Sequence, residues 1–314
     1  MFNQPKIPAP EQKPLGVEPS RLSTNESAIP LPWAVGKNRL ALRWISPAYN
    51  QRTTAITQRV GKRNQTTGYN VYADVAGAIC AGPVDQLESI LIDGVVVWAS
   101  ANAVRNATNP HYYQGTVPGY GTFRIYWGTS TQPKDTLILN YSTGTEVTWD
   151  NEDQPWEFPN RSGTSNQSVT YTTTACPDDH PAYLDQCYMV WSQLFCGQNR
   201  ESVPNVEVIV AKAARPFPEL DPDITDEGVN PVFAVAEILT NDLYGAGLPA
   251  SALDVVQWNN VATTAANLRT FARPTAPNTP VSVPFGHISP IVERQVTVKQ
   301  ILNELFAYFD GYVH

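Results

Sequence analysis

Between Tyr69 and Trp98 the chain reads YNVYADVAGAICAGPVDQLESILIDGVVVW, and no other run restricts the fold as much. Tyr69, Val71, Ala73 and Val75 alternate with Asn70, Tyr72 and Asp74, the period of a half-buried strand, and the strand continues through Ala78, Ile79 and Cys80. Gly82-Pro83 breaks it. Leu87–Ile92 is a second strand, Asp93-Gly94 a turn and Val95–Trp98 a third strand, because Asp-Gly between β-branched runs is a strong hairpin signal. Gly77-Ala78-Ile79-Cys80-Ala81-Gly82 also has the outline of the strand-to-helix turn that exposes a catalytic nucleophile. That turn needs a helix directly after it, and here Pro83 and another β-branched run follow. Cys80 therefore reads as a buried strand thiol, the commonest state of a free cysteine.

The composition agrees with strands. Charged residues are 16% of the 314, against about 25% in an ordinary domain, while proline reaches 27. Such a chain suits short strands and long ordered loops, and its length suits about two or three domains. The net charge of −8 argues against a grip on nucleic acid, since phosphate binding follows basic charge. No stretch approaches the roughly 20 apolar residues of a membrane helix. The opening MFNQPKIPAPEQKPLG has no apolar core of a secretory signal, so synthesis and retention in a cytoplasm are expected.

Residues 1–30 are Pro-rich and polar and read as an extended arm. From Ile29 to Pro47 the pattern is strand, turn, strand, with Gly36-Lys37-Asn38 as the turn and Leu40, Leu42 and Trp44 on one face beyond it. Ser100–Gly121 reads as loop, Thr122–Trp127 as strand, Asn151–Gln167 as polar turns, and Tyr183–Val210 as a further β block. The acidic, Pro-bearing stretch 211–229 reads as a linker, after which helices take over. Asn230 is an N-cap with Pro231 in the first turn. Val232, Val235, Ala236, Leu239 and Leu243 share a face, and Gly245 ends that helix. A second helix is expected from Ser251, with Asp254 three residues on. A third starts at Thr297, paired with Gln300 in a capping box and striped by Ile301, Leu302, Leu305, Phe306 and Phe309 before Gly311. The predicted class is β-rich α+β: several small barrel- or sandwich-like β domains over 31–210, then a helix-containing domain over 230–314. Tyr312-Val313-His314 begins a strand, so continuation beyond His314 is expected.

Candidate chemistry is sparse. Cys176, His180, Cys187 and Cys196 offer four zinc-type ligands, but C-x3-H-x6-C-x8-C lacks a tight C-x2-C knuckle, and buried thiols are the default. His111, His180, His287 and His314 have no Ser or Cys partner at a recognisable spacing. The acidic run Glu219–Glu227 reads as solvated surface, and Gly119-Tyr120-Gly121 as a plain turn rather than a phosphate loop. No catalytic, metal or cofactor-binding residue is assigned.

Six segments, in order, resemble the phage tail-tip hub proteins: the central tail proteins of lambda-like siphophages and their relatives in gene transfer agents. IPLPWAVGKNRLALRWIS is similar to the family's opening strands. YADVAGAICAGPVDQLESILIDGVVVW is similar to its Cys-x-Gly-Pro turn and Ile-Asp-Gly…Trp hairpin, on Cys80, Gly82, Pro83, Asp93, Gly94 and Trp98. HPAYLDQCYMVW carries its His-Pro-Ala-Tyr motif on His180, Pro181 and Tyr183, although Leu184-Asp185 stands where the family usually has Arg-Gly. VPNVEVIV resembles its Pro-Asn strand. NPVFAVAEILTNDLYGAGLP resembles its helix and Tyr-Gly-x-Gly turn, on Asn230, Pro231, Tyr244 and Gly245. VERQVTVKQILNELFAYFDGYV resembles the helix ending in Asp310-Gly311.

The resemblance implies a structural subunit rather than an enzyme. It implies a homotrimeric baseplate hub in the virion that closes the tail tube and relays host attachment to genome ejection, assembled in the host cytoplasm. The implied partners are the distal tail protein, the tail tube and tape-measure proteins and other tail-tip or fibre proteins, with contact to the host surface and no sequence-specific nucleic acid. The alternative is a phage-associated cell-wall hydrolase. The sugar-cleaving barrel of some gene transfer agent relatives needs roughly 250 residues, against about 30 here before the hub motifs.

Overall fold

Period-2 burial along the strands builds two sheets around one core. The computed structural model describes residues 30–46, 48–60, 63–136, 181–200, 202–215, 228–267, 270–275, 279–284, 288–293 and 296–307. The chain divides into two units, one of residues 1–132 with 184–314 and one of residues 133–183. Of the second, residues 133–136 and 181–183 are described, and Tyr183 has a φ of +50°.

In the first unit the strands are β1 (Trp33–Ala34), β2 (Gly36–Ala41), β3 (Arg43–Trp44), β4 (Tyr49–Val60), β5 (Arg63–Ala81), β6 (Gln86–Ile92), β7 (Val95–Ala99), β8 (Tyr112–Val117), β9 (Gly121–Tyr126), β10 (Gln186–Gln198), β11 (Val206–Lys212), β12 (Thr270–Thr275), β13 (Thr279–Pro284) and β14 (Ile291–Val292). The helices are α1 (Pro231–Thr240), α2 (Val255–Asn267) and α3 (Val298–Ala307). One large sheet runs β3-β5-β10-β9-β8, with β4 also on β5, a second runs β2-β11-β6-β7, and β1-β14 and β12-β13 form two-stranded sheets. All these pairs are antiparallel. The β-rich class with helices toward the C-terminus is therefore the observed one.

The core draws on both sheets. Val71, Val75, Phe123, Ile125 and Trp191 come from the first, and Leu40, Leu87, Ile90, Val208 and Val210 from the second. Trp98 on β7 sets its ring edge-on to Phe123 on β9, centroids 5.1 Å apart, and so links the two. Each such side chain contributes roughly 1.5–3 kcal/mol when buried. A second cluster gathers Trp33, Val35, Ala214, Val235, Ile238, Ile301 and Leu305, with Tyr244, Trp258 and Phe306 against it. It joins β1 and the end of the β11 segment to the helices.

Several sequence expectations are corrected here. Gly36-Lys37-Asn38 is not a turn but the start of β2, paired with Lys212, Ala211 and Val210 of β11; the long-range partner overrides the local turn chemistry. Tyr112–Val117, read as loop, is β8 and pairs along β9. Strand β4 was not foreseen at all, because its residues are exposed and polar and carry no core-facing alternation. The start of the 211–229 stretch belongs to the body: Ala211 and Lys212 close β11, and Ala213 and Ala214 are buried. Residues 216–227, including the whole acidic run, lie outside the described residues.

Helix α1 is capped as its sequence requires, with the Val232 N–H donating to Asn230 Oδ1 at 3.0 Å. It ends at Thr240 rather than at Gly245, because Asn241 Oδ1 accepts from the N–H groups of Leu243 and Tyr244 and turns the chain outward. Leu243 is consequently 64% exposed and off the helix face. Helix α2 starts after Asp254, which accepts from the Gln257 N–H at 3.1 Å; Ser251 lies in a 3-10 turn before it. At α3 the capping box is reciprocal: the Gln300 N–H donates to Thr297 Oγ1 at 3.3 Å and the Thr297 N–H to Gln300 Oε1 at 3.0 Å.

Candidate functional site

The residues singled out by sequence do not form a reacting centre, but two of them, Gly82 and Tyr244, meet around one buried lysine. Lys212 ends β11, whose first five positions alternate between buried and half-buried, and its side chain is only 4% exposed. Its Nζ donates to the Ala81 carbonyl at 3.2 Å and to Tyr244 Oη at 3.3 Å, and lies 3.5 Å from Glu237 Oε1. It also stands 4.9 Å from the centroid of the Tyr244 ring. Tyr244 donates its hydroxyl to Glu237 Oε1 at 2.6 Å, and the Arg215 N–H donates to Glu237 Oε2 at 3.0 Å. Every charge in this group has a partner, as a buried charge must.

Gly82 makes the approach possible. It has a φ of +76°, and a Cβ there would stand 2.7 Å from Lys212 Nζ. The Cys-x-Gly-Pro turn thus brings the end of β5 over the lysine, while the Gly82 N–H donates to the Asp185 carbonyl at 2.8 Å. Asp85, just beyond Pro83, anchors the other side. It accepts from Arg105 Nη2 at 2.7 Å, from the Ala213 N–H at 2.7 Å and from Arg215 Nη1 at 3.0 Å. The result is a continuous polar joint, Asp85–Arg215–Glu237–Tyr244–Lys212, between the two-sheet core and the helices.

Cys80 and Cys187 face each other across β5 and β10 beside this joint, both buried and reduced. Burial, then the hydrogen bond and charge of Cys80, hold the Cys187 thiol well above the ordinary range; the hydrogen bond from Cys187 and the Lys212 charge draw Cys80 down relative to it. Burial pushes Cys196 up to about 12. Tyr244 is raised by burial first, then by the Glu237 charge and hydrogen bond, so its phenol stays protonated. Thiols and phenol alike are packed away from solvent, which suits holding two layers together. Cys176 and His180 lie outside the described residues, and among the described residues no group of three or more His, Cys, Asp or Glu could hold a metal.

The other motif residues sit apart from the joint. Asp93 and Gly94 form the β6–β7 turn, with φ of +49° and +82°. Asp93 accepts from Arg200 Nη1 at 2.6 Å and from the Asn205 N–H at 3.0 Å; partial burial works against its ionised form, and these bonds with the Arg200 charge still leave its carboxyl below the ordinary value. Asn230 donates its Nδ2 to the Ala262 carbonyl at 2.9 Å and so pins α1 to α2. Gly245 lies in the turn after α1, where the neighbouring Ala246 N–H donates to the Ile238 carbonyl at 2.8 Å. Pro181 and Tyr183 are described within the 133–183 unit; His180, Asp310 and Gly311 lie outside the described residues.

Lys212, Glu237, Asp85 and Arg215 were missed by sequence reasoning. The available signal was a charge inside an apolar period: Lys212 closes VEVIVAK, and Glu237 interrupts PVFAVAEILT on a buried face.

No protein-family model matches the chain, and no curated protein matches it. Among solved structures, a chain of the virion of a native gene transfer agent particle is similar over 65% of this chain, at 18% identity and a TM-score of 0.34. The matched region spans 31% of that longer chain.

Proposed function

We propose that this protein is a structural subunit of a phage-type tail tip, a baseplate hub component rather than an enzyme. One observation carries the reading. Residues from two separate hub-like motifs, Ala81 and Gly82 of the Cys-x-Gly-Pro turn and Tyr244 of the Tyr-Gly-x-Gly turn, converge on Lys212 in a closed joint. Motif residues that meet in a buried, fully partnered cluster maintain geometry between layers. They do not present a group to a substrate.

In this reading several copies form a threefold ring at the end of the tail tube, against the distal tail, tube and tape-measure proteins. The ring transmits receptor contact into opening for the genome. The joint suits that task, since a paired buried charge network has a defined arrangement that a shear between layers must break. The hydrolase alternative requires an accessible acid or nucleophile, and the joint offers none. The discriminating experiment is a peptidoglycan zymogram on the purified chain together with quantitative mass spectrometry of purified particles. A clear lysis band without the chain in particles would replace this reading with the hydrolase.

A further inference from the structure

We propose that the β4–β5 ribbon is a basic docking arm that binds the acidic surface formed by α2 and the α1–α2 connection of a second copy of this chain. This rests on the structural-subunit reading above and names the contact by which copies would join.

The net charge of −8 conceals a strong segregation. From Gln51 to Ala73 there are four basic residues, Arg52, Arg59, Lys62 and Arg63, and no acidic residue. The rest of the chain then carries 17 Lys and Arg against 29 Asp and Glu, a net charge of −12. On either side of residues 61–62, which lie outside the described residues, the segment is a ribbon of two antiparallel strands, paired from Tyr49↔Asp74 to Val60↔Arg63. Strand β10 pairs with β5 only as far as Asn70, so the ribbon beyond it has no third strand among the described residues.

Toward its tip the described positions are mostly exposed, although Gly68 is buried against Asn199. Gln51–Ala55 and Thr57–Arg59 are exposed, Ile56 is half-buried, and Thr66 and Thr67 are exposed. An isolated two-stranded hairpin is marginal in water, and a long unpaired edge is a template for another chain unless charge guards it. Here the guarding charge is all of one sign. A one-signed ribbon repels its own kind and attracts an acidic surface, so its orientation on a partner is dictated by charge.

The chain itself supplies such a surface. From Pro231 to Leu268 there are three carboxylates and no Lys or Arg. Glu237 is committed to the buried joint, while Asp242 and Asp254 are exposed. Leu243 and Leu248 in the connection between α1 and α2 are 64% and 41% exposed, and Val256 and Val261 on α2 are 68% and 53% exposed. An arm on one face and its acceptor on another make a heterologous contact, the kind that closes into a ring when the rotation permits.

The test uses the full chain and sedimentation across a concentration series at low and high salt. The wild type should self-associate weakly, and less as salt rises. Arg52→Glu/Arg59→Glu should weaken association at least about tenfold with unchanged thermal unfolding. Adding Asp242→Lys to the arm-reversed chain should restore it. Asp254 is left intact because it caps α2. Arg52→Gln/Arg59→Gln, which keeps the strand polar, should fall between. Association that ignores the arm reversal, no self-association of the wild type, or failure of Asp242→Lys to rescue would each overturn the proposal. So would a salt-sensitive complex of the wild type with duplex DNA that is lost on arm reversal, since the arm would then be a phosphate grip. In particles the two readings separate. Arm-reversed chains incorporated at the wild-type level would sink the docking arm alone, whereas absence of wild-type chain from particles would sink the tail-tip reading.

Discussion

The Lys212 joint and the β4–β5 ribbon are two places where this low-charge chain concentrates polar chemistry, and they are built in opposite ways. In the joint, Lys212 and Glu237 are buried, Asp85 is half-buried and Arg215 closes the exposed end, and cations and carboxylates alternate in sign and satisfy one another. In the ribbon, the charges from Gln51 to Ala73 share one sign, and Arg52 and Arg59 are exposed on β4. The contrast separates two uses of charge. A balanced buried network adds definition to a fold, whereas an unbalanced exposed one awaits a partner. Stability should therefore reside in the joint and association in the ribbon.

The sharpest way to break that contrast is to unpair the joint. Glu237→Ala leaves Lys212 buried without its carboxylate and should cost about 3–5 kcal/mol, measured by denaturant unfolding. Replacing both partners, as Lys212→Met with Glu237→Leu, should recover much of that loss, because apolar packing often matches a buried ion pair. A Glu237→Ala chain as stable as the wild type would show that the joint is incidental.

A matched pair of glycines sharpens the comparison. Gly82 and Gly94 both have positive φ, but a Cβ at Gly94 meets nothing within 4 Å, whereas one at Gly82 meets Lys212. Gly94→Ala should cost only the conformational penalty, about 1–2 kcal/mol. Gly82→Ala should cost a further ~1–3 kcal/mol from crowding. Equal losses in melting experiments would deny the joint any special tightness.

Asp93 provides a pH-dependent effect outside both regions. Its folded carboxyl titrates below the unfolded value, so its contribution is complete above the unfolded pKa of about 3.9 and disappears as pH falls through the folded one. The side chain is 45% exposed and solvent screens the pair, so the effect should stay under about 1 kcal/mol. Amide exchange at Asn205 should quicken in acid beyond the intrinsic rate in the wild type, and Asp93→Asn should abolish that pH dependence. The smallest effect belongs to the ribbon: Arg59→Gln should leave unfolding within about 0.5 kcal/mol, as exposed surface changes do.

What the sequence made legible follows from where the information lies. Strands β5, β6, β7 and β11 and the caps at Asn230 and Thr297 are local patterns of alternation and side-chain capping, and they could be read directly. Strand β4 has no buried face to impose a period, and β2 begins in turn-like residues whose partner, β11, is about 170 residues away, so neither could. The joint was half legible. Gly82 and Tyr244 stood out as motif residues, but Lys212 was assigned to a linker because nothing in VEVIVAK tells a buried lysine from a strand-ending surface one. Leu243 fits a helical face by spacing, and only the Asn241 turn removes it.

The central claim is that this chain is a tail-tip structural subunit, and electron microscopy of tails carrying a label on it tests that most directly. The account predicts label confined to the distal end of the tail with threefold symmetry. Label along the tube wall in sixfold copy, or tails that lack the chain altogether, would contradict it.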